Sequence, residues 1–293
     1  MKLYLFCGFL IAVCPYVAAT LITMEDGPRP TDHESRVASA PQFGYILPMA
    51  APRFSQASID FINKAARQKK AEWLDKNRAE YEKVLVEPMR ELMETAAKAL
   101  GPIAPGYRFP TRQHARLRRG ADQSRGPFRD WVGVSVSRDS GSRYDSMPNL
   151  YFSIDDEDVL SAGGLYMPSA DQTKHIRKWI DQDPSALEEL LEDREFKTRF
   201  KELGKERVLK TKPRDYPIDH PKFEWLRLSA WYVWRPFTKK IFFSKDFKDV
   251  LIEDWRQILR LNRVLDQYTK SWPKIGLIDA LPEVQLRKMD WED

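Results

Sequence analysis

The densest group of side chains able to do chemistry is the stretch from Arg108 to Arg129, which holds seven arginines against one acid, Asp122. That window carries +6 by formal count, whereas the whole 293-residue chain carries +5, so the remainder sums to about −1 and the basic bias is local. A guanidinium presents five donors in a planar fork that matches carboxylates, phosphates and acidic polymers. Arg112, Arg116, Arg118, Arg119, Arg125 and Arg129 are therefore candidates for an anion site. The plainer alternative is that they are solvated, or paired with acidic stretches such as Asp155-Asp156-Glu157-Asp158.

Two residues have side chains suited to proton transfer near this chemistry: His220, in Asp219-His220-Pro221, and Asp122 itself. For His220 the simpler role is to fix its loop by hydrogen bonding to backbone. His33, His114 and His175 are scattered and no H-E-x-x-H spacing is present, so neither a metal nor a cofactor is expected. The Asp155–Asp158 run lacks the alternating ligands and central glycine of a calcium loop and reads as a hairpin turn. Trp225, Trp231 and Trp234 can stack on sugars or bases, but their alternation with Leu228, Ala230 and Val233 favours core packing. Nucleophile-elbow, P-loop and dinucleotide fingerprints are absent, and Gly163-Gly164 alone is too short to cradle a phosphate.

The elements that must position these groups follow from periodicity. Apolar spacings of three and four predict a helix capped by Ser55 and a second from Trp73 to Pro88. Pro88 should kink or restart that second helix, with a continuation from Met89 to Leu100. The period then drops to two over Val132–Val136, Asn149–Ile154 and Val159–Met167, which predicts three strands in an antiparallel meander. Helices are expected at Ser169–Ile180, Pro184–Leu191 and Glu195–Leu203, a strand at Leu228–Arg235, and a long terminal helix from Ser244 to Tyr268. The fold class is α+β, one domain over 54–270, with an antiparallel sheet packed against N-terminal helices and the long C-terminal helix. A surface strap or linker at 20–53 precedes it and a C-terminal extension at 271–293 follows.

The address is read from the start of the chain. Lys2, the apolar run Leu3–Val13, Pro15 and Val17-Ala18-Ala19 have the layout of a signal peptide over 1–19, cleaved after Ala19, with an uncleaved N-terminal anchor as the alternative. Both cysteines, Cys7 and Cys14, fall inside it, so the mature chain would hold no thiol. No later stretch approaches the about 20 apolar residues of a membrane-spanning helix.

Three groups of residues resemble domain of unknown function 2461, an uncharacterised, mainly bacterial family, over about Phe54 to Tyr268. The first is Glu72-Trp73-Leu74, Asn77-Arg78, Tyr81 and Pro88. The second is Gly163-Gly164-Leu165-Tyr166-Met167-Pro168 with Ile176-Arg177 and Ile180. The third is Lys212-Pro213-Arg214, Tyr216, His220-Pro221, Leu226-Arg227-Leu228 and Arg235-Pro236. The family's signature is an Arg-x-x-Arg-Asp-x-Arg-Phe run followed by an Asp-Lys pair and Pro-Tyr-Lys. Pro127-Phe128-Arg129 is similar to its end, but between Arg112 and Asp122 neither pair is present, so Asp122 or Asp130 would have to substitute. The resemblance implies a fold and a pocket location, near which it sets Arg214 as a further anion-binding candidate close to His220, and it implies no reaction.

Three functions stay open on these residues. The first is an exported, non-catalytic protein whose arginine segment binds an anionic small molecule, acidic polymer or acidic protein; nucleic acid is not an expected partner of an exported chain. The second is an enzyme on a phosphate- or carboxylate-bearing substrate, and the third a purely structural interaction module. A pocket joining the arginine segment to Arg214 and His220 favours the enzyme; arginines splayed outward favour binding.

Overall fold

Alternation builds the sheet first. In the computed structural model, which describes residues 52–110, 115–120, 124–138 and 146–268, strands β1 (Val132–Ser137), β2 (Asn149–Ile154), β3 (Val159–Leu165) and β4 (Trp231–Phe237) form one antiparallel sheet in the order β1-β2-β3-β4. The expected signal peptide at 1–19, the expected linker up to residue 51, Arg112, His114, Asp122 and the expected C-terminal extension lie outside the described residues. Those that are described belong to one compact unit starting at Ala50. The expected meander is present, closed between β2 and β3 by a turn in which Asp155 Oδ1 accepts from the backbone of Glu157 and Asp158 at 2.9 and 2.6 Å.

Side chains of opposite parity go to opposite faces. Val132, Val134, Val136, Leu150, Phe152 and Ile154 are fully buried on one face, under an aromatic cluster of Phe54, Phe242 and Phe247. Gly133, Ser135, Ser137, Asn149, Tyr151 and Trp234 are half-buried on the other.

The fourth strand begins and ends later than its expected span of Leu228–Arg235. Leu228 pairs in an isolated bridge with Val208, while β4 runs on through Pro236. A proline missing its N–H is tolerated there because β4 is an edge strand.

The N-terminal layer is α1 (Gln56–Ala66), α2 (Glu72–Lys76), α3 (Arg78–Tyr81), a π-helical turn (Glu82–Val86) and α4 (Glu87–Leu100). The single helix expected from Trp73 to Pro88 is broken at Asn77 and widened before Pro88. Proline at 88 cannot donate to the carbonyl of Val84 four residues back. The Ser58 hydroxyl donates to it instead, at 2.7 Å from α1. Ser58→Ala should therefore strand that carbonyl and cost about 1–2 kcal/mol, read as a lower urea midpoint with unchanged m-value; an unchanged midpoint would remove this account of the π turn.

Between β3 and β4 come α5 (Ala170–Gln182), α6 (Ser185–Glu192), α7 (Arg194–Arg199) and α8 (Phe223–Leu226); after β4 come α9 (Lys239–Phe242) and α10 (Phe247–Gln267). The helix expected to reach Leu203 stops at Arg199, where Phe200 turns to extended backbone. That exit sends Phe200 and Leu203 into the core and brings Gly204 N–H to the carbonyl of Tyr232 at 2.8 Å. The terminal helix lies on the buried face, with Trp255 Nε1 donating to the Tyr151 carbonyl at 3.2 Å.

Candidate functional site

The arginine-rich stretch is a small hairpin rather than a loop. Arg119 N–H donates to Pro127 O and Arg129 N–H to Leu117 O, both at 2.8 Å. Ala115, Leu117 and Phe128 point inward and are buried, with Phe128 edge-on to Trp73 and the Tyr81 hydroxyl donating to Ala115 O. Arg116 and Arg118 consequently point out. Arg118 Nη2 donates to both carboxylate oxygens of Asp75 at 2.8 Å, and Arg119 donates from Nε to Phe128 O at 2.8 Å while its guanidinium lies 3.5 Å from Asp130. These two arginines fasten the hairpin to its surroundings; their partners are Asp75 and Asp130, not the Asp155–Asp158 turn. Arg125 is exposed.

Arg129 is different. Its guanidinium lies 4.7 Å above the Trp131 ring, half-buried, and among the described residues no carboxylate pairs with it. Burial first, and then the neighbouring cations Arg116 and Arg119, push its pKa down. A cation held partly out of water beside two like charges is poised to accept an anion.

Beyond Arg129, aromatic rings lie on this second sheet face, where Trp131 and Tyr232 are buried and Tyr151 and Tyr166 half-buried. Trp131 and Tyr151 both pack close to Gly133, where a Cβ would lie 2.9 Å from Tyr151 Oη and 3.0 Å from both the Trp131 ring and the Phe152 carbonyl oxygen. Burial raises the Tyr151 pKa to about 12, against a hydrogen bond from Ser153 and the charge of Arg129. At the far end Tyr166 stands edge-on to Tyr232 with centroids 5.0 Å apart, and Arg207 lies 5.3 Å over the Tyr166 ring. The Tyr232 hydroxyl donates to Glu206.

Comparison with known proteins adds a family. The conserved hypothetical protein family DUF2461 matches residues 57–263, which takes in every strand, the arginine hairpin and most of α10. The chain belongs to this family. No curated protein and no solved structure matches it.

Two of the three DUF2461 segments noted in the sequence meet in space. Arg177, on α5, donates from Nε to Leu226 O at 2.7 Å and from Nη2 to Leu228 O at 2.9 Å, so the second group of residues clamps the third. His220 is placed beside α5, with Nε2 3.2 Å from Asp181 Oδ1 and Nδ1 accepting from Lys222 N–H at 3.0 Å. Its two nitrogens are thus spent on holding a loop. Arg214 is exposed, and among the described residues no hydrogen bond or ion pair joins it or His220 to the arginine hairpin. Of the three tryptophans, Trp231 is fully buried, Trp225 is half-buried with Lys222 5.0 Å over its ring, and Trp234 is half-buried on the open sheet face. No helix among the described residues is long and apolar enough to cross a membrane.

Two clusters escaped the sequence reading. On the covered face Asp254 of α10 is fully buried and accepts from Arg199 Nη1 at 2.8 Å and Arg235 Nε at 2.9 Å. Burial raises its pKa to about 6, opposed by the two guanidiniums. At the other end of α10, buried Arg138 donates to Asp266 and lies 5.4 Å over Tyr107. Each pair joins residues far apart in the chain, so no local spacing signals it.

Proposed function

We propose that this chain is a binding protein for an anionic ligand, held by Arg129 with Arg116 beside it at the start of β1. One observation carries the reading: Arg129 is half-buried over Trp131 and crowded by two like charges, while Arg118 and Arg119 are committed to Asp75 and Asp130. A charge left in that state lowers stability unless a ligand neutralises it, which is the usual mark of a site shaped for binding rather than folding. The catalytic alternative draws no support from His220, whose nitrogens face Asp181 and the Lys222 N–H, and among the described residues no hydrogen bond or ion pair joins it to the hairpin.

Calorimetric titration with inorganic polyphosphate and with an oligouronate tests this. Binding should weaken steeply with salt, because each contact exchanges for counterions screened over about 10 Å. Arg129→Gln should weaken it by about tenfold, the worth of one charge-assisted hydrogen bond, with the melting temperature unchanged or raised. Arg118→Gln should leave affinity nearly intact and cost at most about 1 kcal/mol of stability. If the wild type binds neither probe, or Arg129→Gln binds both as well as the wild type does, the reading is wrong.

A further inference from the structure

We infer that the anion met here is the headgroup surface of an acidic membrane, on which the arginine hairpin docks together with the loop between α1 and α2; this rests on the anion-binding reading above and names its partner. The loop Arg67-Gln68-Lys69-Lys70 leaves the end of α1 and puts three more cations, Arg67, Lys69 and Lys70, in solvent. Three contacts hold this region against the hairpin. Arg118 Nη2 donates to the Ala71 carbonyl at 3.3 Å, Phe128 stands edge-on to Trp73 with centroids 6.0 Å apart, and a Cβ added at Gly126 would lie 3.8 Å from the Gln68 carbonyl oxygen. Arg125, next to Gly126 in the chain, is therefore a neighbour of the loop.

Two distant segments thus form one basic surface. Arg67, Lys69, Lys70, Arg116 and Arg125 are exposed, and among the described residues none of them has an ion-pair partner, while Asp75 and Asp130 take Arg118 and Arg119. Residues 67–76 hold four basic side chains against Glu72 and Asp75, so the loop adds to the charge of the hairpin instead of cancelling it. Arg67 is the C-cap of α1, where a cation also favours the negative end of the helix. Lys69 and Lys70 lie beyond that last turn, and the helix does not account for them.

The make-up of the surface selects the partner. A compact anion is held by cations that converge on it, and a linear polyanion needs one row of them; here exposed cations stand on two segments abreast. A bilayer presents phosphates in two dimensions, and lipid diffusion brings one under each cation, so both segments count. Trp73 packs against Phe61 as well as Phe128, so the surface offers charge rather than a ring for bases to stack on. The exposed large apolar side chain among the described residues is Ile218, on the loop before α8 and outside both segments, so the contact is electrostatic and inserts nothing between acyl chains.

The full chain is co-sedimented, across a salt series, with vesicles of phosphatidylcholine alone and of phosphatidylcholine mixed with phosphatidylglycerol in equal parts, and is titrated in parallel with inorganic polyphosphate. It should partition onto the acidic vesicles at least about tenfold more strongly than onto the neutral ones, and lose that preference as salt rises. Lys69→Gln combined with Lys70→Gln should weaken partition onto acidic vesicles by about 25-fold, roughly fivefold for each charge lost. The same pair of changes should weaken polyphosphate binding by less than about threefold, since a linear chain is served by the hairpin row. Lys239→Gln with Lys240→Gln removes as much charge from α9, whose Phe242 stacks on Phe54 ahead of the other end of α1, and should leave partition within about twofold of the wild type. All four lysines are exposed, so melting temperatures should coincide and show that each variant is folded. Equal partition onto neutral and acidic vesicles, an unchanged Lys69→Gln/Lys70→Gln variant, or an equal loss in the α9 variant overturns the membrane assignment. Polyphosphate binding that falls as far as vesicle binding also overturns it, in favour of a soluble polymer, and leaves the anion site standing. If neither acidic vesicles nor polyphosphate binds, both readings fall.

Discussion

Replacing Asp254 with alanine is expected to cost about 3–5 kcal/mol of stability at neutral pH, because it leaves two half-buried cations facing each other with nothing between them. Arg199 comes from the last turn of α7 and Arg235 from β4, and Asp254, fully buried on α10, takes one on each carboxylate oxygen. The carboxylate ties three elements that share no local contact in the sequence. Burying it is itself expensive, as its rise from 3.8 to about 6 records. The sign follows: a group that binds its proton more tightly when folded favours folding below its unfolded value, and that contribution is lost as pH rises through the folded one. Wild-type stability should therefore contain a component that declines between about pH 4 and pH 6. Replacing the whole triad (Arg199→Met, Asp254→Leu, Arg235→Met) should recover most of the stability lost in Asp254→Ala and shrink that decline to the part carried by Asp266, whose carboxyl burial also raises to about 6, since apolar packing often does as well as a buried ion triad. Chemical denaturation of the three proteins at several pH values decides the matter. A loss below about 1 kcal/mol in Asp254→Ala would mean that the arginines simply turn out to solvent.

What the sequence disclosed and what it hid divide along contact range. The meander, the Asp155–Asp158 turn and the long α10 helix are written in local period and turn chemistry, and each is present. The arginine hairpin was also written locally, as Ala115-Arg116-Leu117-Arg118 alternating inward and outward, but two residues of each parity make a weak period and the charge drew attention from it. The shift of β4 has a cause at a distance. Arg177 occupies the carbonyls of Leu226 and Leu228, which keeps that stretch out of the sheet until Trp231. Arg129 was among the candidate residues for its type alone; its distinction from Arg118 and Arg119 lies in which of them found a carboxylate, and Asp75 is far from the hairpin in sequence. Arg207 entered no candidate set, because nothing near it in the chain announces the Tyr166 ring beneath it.

Gly164→Ala is expected to lower stability by several kcal/mol, about the sum of a strained backbone and an overpacked strand pair. Gly164 has φ of +117°, a region that residues with a Cβ seldom enter, and its added Cβ would lie 2.5 Å from the Trp231 carbonyl oxygen and 2.6 Å from the Tyr232 Cα. Both are backbone atoms of β4, so no side-chain rotation relieves the contact. The backbone strain alone is worth about 1–3 kcal/mol, and overpacking adds about 1–3 kcal/mol more. Gly164 pairs with Tyr232 and precedes Tyr166 by two residues, so any retreat of β4 also separates the two rings that meet at 5.0 Å. Gly163-Gly164 lies inside the strand expected at Val159–Met167, and at Gly164 the close approach of the neighbouring strand's backbone leaves no room for a side chain. Gly133→Ala is the informative comparison, because there the nearest atom is the terminal hydroxyl of Tyr151. That ring can move, the Phe152 carbonyl at 3.0 Å is a milder contact than those at Gly164, and φ is not positive there, so Gly133→Ala should cost less stability than Gly164→Ala while displacing Tyr151 and Trp131. Thermal denaturation followed by near-ultraviolet circular dichroism separates the two: a large fall in melting temperature for Gly164→Ala, and a changed aromatic spectrum with a modest fall for Gly133→Ala. Equal melting temperatures in the two variants would show that β4 yields as readily as a tyrosine ring, and the account of the glycine pair would have to be given up.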